Sequence, residues 1–400
     1  MDKGTSMKRF LACLILCVPL FLLSGCAQAI TPTDLHWASV EGGQIEKTEP
    51  GEEFYFTVMV DQAGLKPEPI PVHIQVSGLV NSGSLRFELR DPDGQAVWNT
   101  GEIGPGDFSI TTDYIPDRGN TGEYHLGLVY PGGTSAFYNL AWHALRLSPL
   151  VLVPGIGMLL VSLAFIVYGA RRYSWGRLDW RYFGLGALFW IFTVAVKFAW
   201  AIPVNPPIYQ ALNVSKDTLF APGNLVAYVY IGALTGIFEV GLAWLVLRKT
   251  RWARATWQQA LAFGIGFGVV EALLLGLASF GSGMAGLVAP DAIPTYSLAS
   301  LVRSGTLLMA PAPVAERLFV ILAHIFACAL IFYAITNGQV RWVVLAILYK
   351  TILDIPGGFA AFWGVDSPEK LWTIEAIVAV TGLVGLWGTW WIAKRYPRAD

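Results

Sequence analysis

The sequence predicts an all-α polytopic membrane bundle with an N-terminal extracytoplasmic antiparallel β-sandwich domain, and three observations carry that expectation. Of 400 residues, 54% are hydrophobic and 14% charged, with 16 tryptophans, and the mean hydropathy is +0.53, a balance foreign to water-soluble enzymes of this size. Apolar runs of about 20 residues, the length that crosses a hydrocarbon core, recur through the C-terminal part of the chain. Ahead of them, residues 35–146 alternate with period two between turn signals. The formal net charge of −1 gives no electrostatic basis for a nucleic-acid partner. The expected partners are membrane lipids and a membrane protein or peptide.

Residues 1–26 read as a signal peptide. Lys8 and Arg9 precede the apolar run Phe10 to Leu23, and Leu23-Ser24-Gly25-Cys26 stands where that run stops. This order has the form of a lipobox, which makes Cys26 the candidate lipidation site. Cleavage at Ala27-Gln28-Ala29, or an uncleaved first helix, are the alternatives. Cys13 and Cys17 fall within the signal, leaving Cys26 and Cys328, so no disulfide framework is expected and the next domain must be stabilised by its core.

The segment 35–146 supplies that core. Phe54 to Val58, Val72 to Val76, Leu85 to Leu89 and Tyr124 to Leu128 read as strands with one covered face, and Asp91-Pro92-Asp93-Gly94 and Tyr130-Pro131-Gly132-Gly133 as turns. His36, His73, His125 and His143 are scattered without the spacing of a metal site, and ordinary strand and loop histidines are expected. No nucleophile motif is present. The expectation is a sensing, recruiting or shielding domain.

Residues 148–395 read as the membrane domain. Spans are predicted at 150–168, 183–203, 223–247, 257–279, 315–335, 341–363 and 371–393, seven after the signal. Arg171, Arg172, Arg177 and Arg181, then Arg248, Lys249, Arg251 and Arg254, then Arg341, and last Lys394 and Arg395 fall on one side of this arrangement. By the positive-inside rule that side is cytoplasmic. The β-domain is then extracytoplasmic and the C-terminus cytoplasmic, in a multi-pass protein of a bacterial-type cell membrane. Residues 281–313 are mixed, readable as an outside loop with a short helix or as a re-entrant piece.

Within the predicted spans, Glu239, Glu271, His324 and Asp354 stand away from the ends. A lone carboxylate in hydrocarbon costs several kcal/mol unless neutral, paired or metal-bound, about 3 kcal/mol on insertion scales. These oxygen and nitrogen donors suit zinc, which takes four ligands and leaves one position to water in a hydrolase. Glu239 or Glu271 would be the catalytic carboxylate, and all four the candidate metal ligands. The purely structural reading is a set of internal ion pairs. Glu316 and Arg317 anchor a helix end or pair with other helices, and Lys350 pairs with Asp354 one turn away.

The order of these motifs is similar to a known family. GIFEVG at 236–241, GIGFGVVEALLLG at 264–276, ERLFVILAHIFACALIFYAI at 316–335 and LAILYKTILD at 345–354 resemble the YhfC family of membrane peptidases, itself similar to the PrsW and CAAX-prenyl protease group of intramembrane metalloproteases. The resemblance implies a second glutamate in the first motif where Val240 stands, a histidine in the second where Phe267 stands, and a histidine in the fourth where Lys350 stands. Glu239, Glu271, Glu316-Arg317, His324 and Asp354 keep their expected types. These three departures make a non-catalytic binding or regulatory relative, a pseudoprotease, the leading expectation. A zinc-dependent intramembrane endopeptidase and a transporter or other membrane protein are the alternatives.

Overall fold

A computed structural model describes residues 34–60, 71–115, 122–290, 293, 295–365 and 367–397. The signal, Cys26 and its neighbours lie outside these. The described chain forms two compact units, one of residues up to Val151 together with Ser282–Thr306, the other of Leu152–Gly281 and Leu307 onward.

The first unit holds the strands β1 (Asp34–Lys47), β2 (Gly51–Val60), β3 (Val72–Ser82), β4 (Arg86–Arg90), β5 (Ala96–Asn99), β6 (Gly106–Tyr114), β7 (Gly122–Tyr130) and β8 (Thr134–Arg146). They form two antiparallel four-stranded sheets, ordered β1-β8-β3-β6 and β2-β7-β4-β5. The core is made by alternate residues of both sheets, as the period-two pattern requires. Val72, Ile74 and Val76 come from β3, Phe87 and Leu89 from β4, Tyr124, Leu126 and Leu128 from β7, and Leu140 and Trp142 from β8. The predicted turn at 91–94 forms through Asp91, whose carboxylate accepts from the amides of Asp93 (3.1 Å) and Gln95 (2.8 Å), while Gly94 closes it at a φ of +81°. Between Phe87 and Leu89 the inverse phase of β4 buries Glu88, which Arg86 Nε (3.0 Å) and Arg90 Nε (2.7 Å) neutralise. His73 and His143 are cross-strand partners with ring centroids 4.7 Å apart, and His73 Nδ1 lies 2.7 Å from Asp113 Oδ1. Strand register brought together two histidines that sequence spacing left scattered.

The helices are α1 (Val153–Tyr173), α2 (Arg177–Ala211), α3 (Pro222–Leu247), α4 (Trp257–Val288), α5 (Thr295–Ser304), α6 (Ala312–Asn337), α7 (Arg341–Trp363) and α8 (Pro368–Ala393). Among the described residues, seven of them, all but α5, are long and apolar enough to cross a membrane. Six of the seven enclose or equal their predicted spans, and α1 starts three residues later than predicted. Two are longer than hydropathy alone indicated: α2 has 35 residues and α4 has 32. At 1.5 Å per residue α4 is about 48 Å long, well beyond a hydrocarbon core of about 30 Å. Its last turns, from Ser282, and the short α5 belong to the unit of the β-sheets, with α5 against β1. Between 281 and 313 the described residues hold the end of α4, the helix α5 and the start of α6.

In the second unit α6 is the most buried of the seven helices, as expected for a segment that is apolar all round. The helix α8 runs along it, with Gly382 against Phe319 and Gly385 against Ala323. The helix α1 meets α4 and α6, α2 meets α4, and α3 meets α7. Small residues permit these approaches. A Cβ at Gly268 would lie 3.1 Å from His324 Cβ, and one at Gly236 would lie 2.5 Å from the Ile347 carbonyl oxygen. Both glycines sit beside candidate site residues.

Candidate functional site

Residues 236–242 of α3 form a π-helical segment with Glu239 in its first turn. Such an insertion locally widens the helix and re-aims one side chain, and it recurs at functional sites. Here Glu239 is buried (4% exposed). Its Oε1 accepts from Lys197 Nζ of α2 at 2.6 Å, and its Oε2 lies 3.4 Å from Lys350 Nζ of α7. Lys197 also donates to Thr235 Oγ1 at 3.4 Å. Lys350 is 4.0 Å from Asp354 Oδ1, one turn along α7. The predicted Lys350–Asp354 pair thus exists at the limit of ion-pair distance, but the nearer partner of Lys350 is Glu239. Asp354 is partly exposed and touches the network through Lys350.

Glu271 of α4 is the centre of a second set. Arg317 Nη1 of α6 donates to Glu271 Oε1, and Arg317 Nη2 donates to Glu316 Oε1. His324, one per cent exposed, lies with Nε2 2.9 Å from Glu271 Oε2. Because the carboxylate can only accept, Nε2 carries the hydrogen in this arrangement. Trp190 Nε1 of α2 donates to the same oxygen at 3.1 Å. Glu271 therefore receives a guanidinium, an imidazole and an indole, three directed donors for one half-buried acid. The helix α2 contributes to both sets, Lys197 to Glu239 and Trp190 to Glu271.

The sequence singles out Glu239, Glu271, His324, Lys350, Asp354, Glu316 and Arg317, and direct contacts gather them in two sets, Glu239 with Lys350 and Asp354, and Glu271 with His324, Arg317 and Glu316. Sequence reading missed Lys197 and Trp190 of these sets, and the buried acid Glu375 of α8 outside them. A signal for Lys197 was there, a lone cation inside the apolar run TVAVKFAW, and another for Glu375 in TIEAIVAV. Trp190 is one of 16 tryptophans and nothing local distinguishes it. Val240 and Phe267, at positions where the resemblance implies an acid and a histidine, are each 2% exposed. Phe267 packs on His324 with ring centroids 5.2 Å apart.

Zinc does not fit the donors as they stand. Glu239 is held between two ammonium groups, Glu271 is engaged by a guanidinium and His324, and no three His, Cys, Asp or Glu side chains among the described residues are grouped to hold a metal ion. A divalent cation would have to displace protein cations from both glutamates and accept Lys350 as a neighbour.

The architecture and the charged network define a polytopic membrane protein that keeps ionisable side chains inside its helical bundle. The family model described as YhfC intramembrane metalloprotease matches residues 157–378, more than half of the chain, and the chain belongs to that family. It is 26% identical over 253 residues to the uncharacterized membrane protein YhfC of Bacillus subtilis (strain 168), a match covering 59% of this chain and 91% of that one. A solved structure of Bacillus endospore appendages, described as a family of disulfide-linked pili, matches 29% of this chain and 92% of its own length at 8% identity, with a TM-score of 0.21, a likeness too slight to bear on the fold.

Proposed function

We propose that this chain is a non-catalytic relative of the intramembrane metalloproteases, which binds a membrane-associated peptide segment at the Glu239–Glu271 network and does not hydrolyse it. The β-sandwich is extracytoplasmic in this reading and recruits or senses what the membrane domain binds, and the C-terminus is cytoplasmic. One observation carries the proposal: the two glutamates that the family's chemistry would give to a metal are each already bound by cations of the protein, Lys197 and Lys350 on one, Arg317 on the other. The substitutions at Val240, Phe267 and Lys350 are consistent with it. An aliphatic, an aromatic and a cationic side chain stand where an acid and two imidazoles would supply donors.

The test is zinc content read together with cleavage. Protein purified without chelator is expected to carry far less than one zinc per chain and to keep its fold after chelation. The combined variant Val240→Glu, Phe267→His, Lys350→His should bind more, because it removes one cation and supplies three donors. About one tightly held zinc per wild-type chain, lost together with peptide cleavage in Glu271→Ala or His324→Ala, would establish the endopeptidase instead.

A further inference from the structure

The helix α8 carries one acid inside its apolar length, Glu375, which stands outside the contacts of Glu239 and Glu271. Its side chain is buried at 6% exposure, and Oε2 has no hydrogen-bond partner among the described residues. Burial without a partner is costly for any carboxyl oxygen, so a group kept there calls for something to face it. The parallel packing of α8 on α6, with Gly382 against Phe319 and Gly385 against Ala323, brings Glu375 beside the first turns of α6. Glu316 and Arg317 of those turns are its charged neighbours.

The local charges do not close. Arg317 already donates to both Glu271 and Glu316. Two carboxylates, Glu271 and Glu316, thus share one guanidinium, and Glu375 adds a third acidic group that has no donor on Oε2. Around Glu239 the account is different, with Glu239 and Asp354 facing Lys197 and Lys350. The excess of negative charge is confined to the Arg317 end. That end is also accessible, since the Glu316 side chain is 32% exposed.

We infer that Glu375, with Glu316, forms a subsite for a basic group, a lysine or arginine side chain or an amino terminus on the membrane-associated segment that the network binds. The inference rests on the binding function proposed above and specifies its substrate class. An ammonium or guanidinium brings the hydrogen-bond donor that Glu375 Oε2 lacks and offsets the local charge. Arg317 donates to Glu316 and so holds that carboxylate in place.

The test uses the full chain in nanodiscs of zwitterionic lipid and fluorescent apolar peptides of about 20 residues, the length of one span. One peptide carries a single lysine near either end, and its control carries methionine there. The wild-type protein should bind the lysine peptide about tenfold or more tightly than the methionine peptide, the range of one charge-assisted hydrogen bond. In Glu375→Gln that preference should disappear while methionine-peptide affinity stays as in the wild type, which also shows that the variant is folded. Equal wild-type affinity for the two peptides, or a preference that survives Glu375→Gln, overturns the subsite and leaves the binding function standing. That is also the result expected if a proton alone satisfies Glu375. Binding of neither peptide removes the binding function and the subsite together.

Discussion

Replacing Lys197 by methionine is the sharpest probe of the network, because it keeps the chain length and apolar stem of the side chain and removes only the ammonium. In the folded protein Lys197 Nζ is 2.6 Å from Glu239 Oε1. At an effective dielectric of about 20, two unit charges at that distance attract by about 6 kcal/mol, before desolvation is counted. Losing the lysine also removes the cost of desolvating it, and Glu239 keeps Lys350 at 3.4 Å. The net loss should fall at the low end of what breaking a buried pair costs, about 3 kcal/mol, or roughly a hundredfold in the folding equilibrium. Glu239→Leu in the same background removes the stranded acid and should recover most of that loss, while Lys350 retains Asp354. The measurement is reversible unfolding in mixed micelles for wild type, both single variants and the double variant, read as a mutant cycle with a coupling of about 2 kcal/mol or more. A Lys197→Met variant within about 0.5 kcal/mol of wild type, or a double variant no more stable than that single one, would refute the claim that Lys197 neutralises Glu239.

On sealed cells, external protease should cut within residues 35–146 and spare an epitope placed after Lys394 and Arg395, and intact mass of the same protein should show a chain beginning at a lipidated Cys26. The opposite protection pattern reverses the proposed orientation, and a chain beginning at Met1 or Met7 rejects both cleavage sites. In the β-domain, the Arg90 guanidinium holds the Glu52 carboxyl below its usual value, first by hydrogen bonding at 2.7 Å and then by charge. A lowered folded-state pKa means that its stabilisation is complete above the ordinary glutamate range and is lost as pH falls through the folded value. Carbon-detected titration of Glu52 should therefore move upward in Arg90→Leu, and an unchanged midpoint would show that the pair does not form in solution.

The fold class was legible because both of its signals are local. Period-two alternation marked strands such as Val72 to Val76 and Tyr124 to Leu128, and apolar length marked the spans. The isolated acids of the apolar runs were legible for the same reason, since Glu239, Glu271 and Asp354 stand out against hydrocarbon wherever they point. Lys197 stood out equally but has no place in the motifs of the resemblance, and Glu375 lies in the last helix, beyond them. Residues 281–313 stayed ambiguous because helix ends are set by packing. The stretch Ser282–Thr306 belongs to the unit of the β-sheets, and hydropathy cannot report that.

What the amino-acid order determined by itself was a membrane bundle behind a β-sandwich, with ionisable groups kept inside the bundle. Tertiary structure decided which of them meet. The i,i+4 spacing pointed Lys350 at Asp354, yet the approach of α3 and α7 at Gly236, and the π-helical turn that aims Glu239, make Glu239 its nearer partner at 3.4 Å against 4.0 Å. Arg317 reaches Glu271 on another helix in the same way. Pairing between charges on different helices depends on which faces the helices present to each other and at what depth, and those quantities are properties of the packed bundle.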